Sequence, residues 1–120
     1  TLRTARRDVV DFLLECGANG QTVERASLIV SELASNAIQA APGVPYELRL
    51  RVVDPNAASL SIRNRTRGGV PPAPQTWRAV DGLAARGRGL SIVDSLSDEV
   101  TVEVDADEVT VTAWFRLISP

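Results

Sequence analysis

The chain of 120 residues contains no histidine, no methionine and no lysine, and it has a single cysteine, Cys16. Without an imidazole, acid–base work or metal ligation would fall to carboxylates, amides and hydroxyls. One cysteine cannot close an internal disulfide, and nothing in the composition speaks for an oxidising compartment. Cys16 sits beside a helix end and reads as a small core filler rather than a reactive thiol. No apolar run approaches the roughly 20 residues of a membrane span, and no charged-then-apolar leader opens the chain. The cytoplasm is the default location, with no membrane partner expected. All 13 basic residues are arginine, set against 15 acidic ones, for a formal net charge of −2. That balance offers no general attraction to nucleic acid. Arginine forks onto phosphates or carboxylates, although a GC-rich coding sequence accounts for the bias more plainly.

What is present fits one globular domain. The hydrophobic fraction is 44%, and this length supports a single core with little room for a second. The sequence starts at Thr1 without methionine and enters helical sequence almost at once. The expectation is a single domain over 1–120, cut from a longer chain and lacking an upstream strand.

Leu2, Ala5, Val9, Phe12, Leu13 and Cys16 recur at helical spacing with charged residues between them, and Gly17 to Gly20 end that helix. Thr22 is the expected N-cap of a second helix running to about Ala40. From Tyr46 the period becomes two: Tyr46, Leu48, Leu50 and Val52 alternate with Glu47, Arg49 and Arg51. Asp54-Pro55-Asn56 turns, and Ser59 to Asn64 repeat the alternation, with Asn64 on the inward face of Leu60 and Ile62. Residues 67–86 are irregular and rich in glycine and proline, as mobile functional loops are. A short helix after Gly89 and two final strands, 100–104 and 109–117, close the chain. This order predicts an α+β fold, a two-layer α/β sandwich with helices on one face of a mixed, largely antiparallel sheet.

Two stretches carry chemistry. In Ser31-Glu32-Leu33-Ala34-Ser35-Asn36-Ala37, Glu32 and Asn36 lie one turn apart on a stripe beside the apolar one. A carboxylate can take a proton from an attacking hydroxyl, and an amide oxygen can be one ligand to Mg²⁺ whose other ligands are waters and phosphates. By spacing alone, two polar residues on a wet helix face is the commoner reading. The second stretch is Arg86-Gly87-Arg88-Gly89-Leu90, directly before a helix. Its glycines let backbone N–H groups approach an anion, aided by the positive helix end, although a plain turn explains the pattern equally well.

Together these pieces resemble the ATP-binding fold shared by gyrase, Hsp90, histidine kinases and MutL, the GHKL or Bergerat fold. The branch they resemble most is that of the bacterial anti-sigma factor serine/threonine kinases and their actinobacterial relatives. The resemblance spans nearly the whole chain. It implies Glu32 as general base and Asn36 as the Mg²⁺-holding residue of an ATP site. It also implies that Gly87, Arg88, Gly89 and Leu90 form the phosphate-contacting motif, with 67–86 as the ATP lid and Thr112, beside Trp114, as the adenine-pocket hydroxyl. Thr110 fits that last role almost as well by parity. Histidine kinases usually carry Asn where Glu32 stands, which favours the serine-kinase branch. The chain departs from the pattern at Asn64-Arg65-Thr66-Arg67-Gly68, where the family commonly has Asp-x-Gly-x-Gly. Asn64 can still accept from the adenine amino group, but without charge assistance, and Thr66 adds a side chain where glycine admits a ligand.

The implied function is transfer of phosphate from Mg²⁺-ATP to a Ser or Thr of an anti-anti-sigma (STAS-like) partner. The alternative is a catalytically decayed module that grips a sigma factor or another regulator. Homodimerisation is implied by the resemblance alone. A third and less favoured reading is nucleic-acid binding through Arg63, Arg65, Arg67, Arg78, Arg86 and Arg88, but this cluster is near the expected triphosphate, so phosphate contacts account for at least part of it and no direct nucleic-acid partner is expected.

Overall fold

The computed structural model describes residues 2–65 and 85–118, with 85–90 described in backbone only. The elements in chain order are α1 (Leu2–Glu15), α2 (Gly20–Ala40), β1 (Glu47–Asp54), β2 (Ala57–Arg65), α3 (Ala85–Leu96), β3 (Glu99–Asp105) and β4 (Glu108–Arg116). The glycine-rich 66–84 segment, with Thr66, Gly68 and most of the expected lid, lies outside the described residues.

Gly17 closes α1 in the left-handed region, at φ +80°. There Ala18 N–H reaches back to Leu13 O (3.0 Å) and Gly17 N–H to Leu14 O (3.1 Å), satisfying carbonyls that the helix itself leaves open. The N-cap of α2 is Asn19 and not Thr22. The Asn19 carboxamide oxygen accepts from Thr22 N–H at 2.9 Å. Asparagine caps at least as well as threonine, which frees the buried Thr22 to donate its hydroxyl to Arg116 O at 3.2 Å.

The four strands stand in the order β1-β2-β4-β3, and every pairing among them is antiparallel. The expected mixed sheet is thus wholly antiparallel among the described residues. The crossover through α3 carries the chain from β2 to β3, which run in the same direction, but β4 inserts between them, as β2 does between the co-directional β1 and β4. One sheet face is covered by helices. Val9 and Leu13 of α1, Ile29, Val30 and Leu33 of α2, and Val93 of α3 pack with Leu60 and Ile62 of β2 and Val109, Val111, Ala113 and Phe115 of β4. Each large side chain so buried contributes about 1.5–3 kcal/mol. Cys16 is half-buried against this core, as expected of a filler.

Tyr46, at the entry to β1, is half-buried, and its phenol is raised above the ordinary 10.0, first by burial and then by the charge of Asp8. Both causes disfavour the phenolate in the folded chain only. Stability on this account is full at neutral pH and falls as pH climbs past the unfolded value near 10 toward the higher folded one. With no lysine present, few other groups titrate there. Chemical denaturation followed between pH 9 and 11 is therefore expected to show a falling midpoint that Tyr46→Phe flattens.

Candidate functional site

The site is built on α2, and two hydrogen bonds orient that helix. Arg6 Nε of α1 donates to Ser31 Oγ at 2.7 Å, and Ser31 Oγ donates to Ser27 O at 2.7 Å. The Ser27/Ser31 flank of α2 therefore faces α1. With about 100° between successive helical residues, Glu32 and Asn36 fall about 40° apart, across the core stripe of Ile29 and Leu33 from that flank. Helix α3 also packs on α2, so it takes the side that carries Glu32 and Asn36.

The helix directions complete the placement. The start of α2 is tied to the end of β4, with Asn19 N–H donating to Leu117 O at 3.3 Å, so its C-terminal half points to the opposite sheet end, where Arg65 pairs with Glu108. Helix α3 runs the other way. Its C-terminus leads to Asp98, whose N–H donates to Trp114 O at 2.8 Å and whose carboxylate accepts from Arg116 N–H at 3.1 Å. The N-terminus of α3 and the last turns of α2 thus share one end of the molecule with Asn64.

Helix α3 begins at Ala85, five residues before Leu90, so Gly87 and Gly89 lie within its first turns rather than in a loop ahead of it. Helical glycine costs roughly 0.5–1 kcal/mol relative to alanine. The first four N–H groups of the helix have no intrahelical partner and carry the positive end of its dipole. The side chains of Arg88 and Leu90 are outside the described residues.

Asn36 is half-buried, yet its Nδ2 atom is fully enclosed and has no hydrogen-bond partner among the described residues. An unmet buried amide costs about 1–3 kcal/mol, which leaves a polar group on the α3-facing flank ready for a ligand. Rotating the carboxamide about its last bond brings its oxygen to the same place. Glu32, one turn away and half-buried, makes no hydrogen bond or ion pair among the described residues. No group of three or more His, Cys, Asp or Glu among them is placed to hold a metal. The donor set therefore suits Mg²⁺ held by one amide oxygen together with waters and phosphate oxygens, as Mg²⁺ is commonly held beside a nucleotide.

Asn64 pairs with Val109 on the inner face and donates from Nδ2 to Arg65 O at 3.2 Å. It lines a hollow of about 510 Å³ with Val44, Pro45, Tyr46 and Glu108, whose loop wall the sequence did not signal. Thr112 does not join these residues. It pairs with Ser61 and Thr101 on the outer sheet face and lines a separate hollow of about 370 Å³ with Arg49, Arg51, Ser59 and Trp114. The sheet stands between Thr112 and Glu32, and Thr110 shares its side. The parity that buries Val109 and Val111 already turned both threonines outward, so this was legible. Next to Asn64 the last strand offers Val109, a side chain without a hydroxyl.

A family model described as a histidine kinase-like ATPase domain matches residues 1–115. Among solved structures, the mycobacterial sensor histidine kinase MprB is similar over 92% of this chain and 93% of that chain, with a TM-score of 0.64 at 18% sequence identity. A likeness at that identity speaks for a shared fold.

Proposed function

This chain belongs to the family of histidine kinase-like ATPase domains, and on that premise we propose that it is a regulator that binds Mg²⁺-ATP on the α2–α3 flank and phosphorylates a serine or threonine of an anti-anti-sigma-type partner. The observation that carries the reading is the enclosed amide of Asn36 one helical turn from Glu32, neither with a partner among the described residues. Asn36 supplies the one protein oxygen for the metal, whose chemistry is to neutralise charge on the phosphates. The backbone N–H groups at the start of α3, including Gly87, hold phosphate oxygens. Glu32 accepts the proton of the partner's hydroxyl as its oxygen bonds to the γ-phosphorus and the bond from that phosphorus to the ADP oxygen breaks. Asn64 accepts a hydrogen bond from the adenine amino group at the near end of the sheet.

A second reading, a protein-binding module with a decayed nucleotide pocket, is favoured by one observation. On the inner face the last strand sets Val109, which has neither carboxylate nor hydroxyl, directly beside the neutral amide of Asn64. Calorimetric titration of the chain with ATP separates the two readings. Saturable, Mg²⁺-dependent heat and a matching rise in melting temperature are expected. A flat titration at millimolar Mg²⁺-ATP would leave only the decayed module.

A further inference from the structure

The hollow of about 370 Å³ on the outer sheet face takes no part in the nucleotide site, which lies on the other side of the sheet. Strand pairing sets its side chains in rows. Arg51 of β1, Ser59 of β2 and Trp114 of β4 stand in register across one row, and Arg49, Ser61 and Thr112 across the next. Neighbouring strands lie about 4.8 Å apart, so Arg51 and Trp114 rise about 10 Å from each other with Ser59 midway between them.

Ser59 is only 7% exposed, yet it makes no hydrogen bond among the described residues. Ser61 and Thr112 make none either, and the Oγ1 atom of Thr101, which pairs with Thr112, is enclosed without a partner among the described residues. Buried hydroxyls are ordinarily hydrogen-bonded. Exposed ones turn to bulk water, but one as covered as Ser59 gains from a ligand that reaches the floor of the hollow.

We propose that this hollow binds a small aromatic monocarboxylate, its ring on the indole of Trp114 and its carboxylate between the Arg51 guanidinium and the Ser59 hydroxyl. The charges around the hollow select a single anionic group. Glu47 holds Arg49 at 3.0 Å and Arg63 at 2.8 Å, whereas Arg51 makes no ion pair among the described residues. Arg51 is thus open to a ligand, and its guanidinium can fork onto a carboxylate through two parallel N–H donors. A doubly charged phosphate brings one charge more than Arg51 balances, and Glu47 and Glu103, which also line the hollow, repel it. Ser59, standing beside Arg51, donates its hydroxyl to the same carboxylate. Trp114 is half-buried and offers a ring, and paired rings gain beyond the area that they bury.

Phenylacetate, titrated into the whole chain and followed by amide NMR, is the probe. Saturable shifts at millimolar ligand are expected on Ser59, Ser61, Thr112 and Trp114. Arg51→Gln, at an exposed position, is expected to weaken binding about tenfold, and Ser59→Ala about fivefold. Neither change removes a described hydrogen bond or ion pair. Phenylethanol lacks the charge and cyclohexylacetate lacks the aromatic ring, and each should bind at least about fivefold more weakly than phenylacetate. The proposal is overturned by an absence of saturable shifts, by shifts on the α2–α3 flank instead, by equal binding of either analogue, or by full affinity in both variants. Tighter binding of phenyl phosphate would overturn it in favour of a phosphate ligand.

Discussion

Glu32→Gln is expected to lower phosphoryl transfer to the partner by about 10²–10⁴-fold, the usual contribution of a positioned general base, while ATP affinity stays within about twofold. Glutamine keeps the shape of the side chain and its reach from the α3-facing flank, but at neutral pH it cannot take up the hydroxyl proton. Glu32 makes no hydrogen bond or ion pair among the described residues, so losing its charge disturbs no described contact, and any effect falls on the chemistry. Label transfer from ATP to the partner, run beside a binding titration, provides the check. Equal transfer by wild type and variant would reduce Glu32 to a solvated helix residue.

Asn36→Ala is expected to move stability and function in opposite directions. In the chain without nucleotide, the buried Nδ2 is unmet, so removing it relieves a desolvation cost of about 1–3 kcal/mol, less the packing lost with the side chain. Alanine is also the better helix former. The variant should therefore melt no lower than wild type, and denaturant titration would register a gain of up to about 1 kcal/mol. The same change removes the one protein oxygen assigned to the metal. The rise in melting temperature produced by Mg²⁺-ATP should then largely vanish, while any stabilisation by ATP with the metal chelated changes little. A variant that loses stability and keeps its Mg²⁺-dependent shift would make Asn36 an ordinary structural amide.

The most legible part of this chain was the part with the strongest local pattern. Glu32 and Asn36 stood on one stripe of an apolar-periodic helix, and α2 carries them as that spacing requires. The strands were readable from their period of two, since each buries one face against helices. The start of α3 was not readable. Arg86-Gly87-Arg88-Gly89 has the propensity of a loop, yet its backbone is helical in a helix that packs on α2. The α2 cap shows a smaller form of the same problem, because Asn19 and Thr22 are both good caps and local sequence does not rank them. The resemblance points to Thr112, but strand parity turns it outward, because its neighbours Val111 and Ala113 are the buried ones. Sheet order was beyond reach: the turns announce the hairpins β1–β2 and β3–β4, but nothing local says that β4 should lie against β2.

That insertion of β4 also governs how the domain comes into being. β4, the last of the described strands in chain order, completes the middle of the sheet rather than a border. Its contacts with β2 join residues as far apart as Ala57 and Arg116, and the entropy of closing so long a loop must be met before the central pairing yields anything. A nascent chain halted after α3 holds, among the described elements, the β1–β2 hairpin and helices α1 to α3 without the central strand that joins them. Closure of the sheet therefore waits for β4, and the domain belongs with the slower, non-local topologies despite its helices.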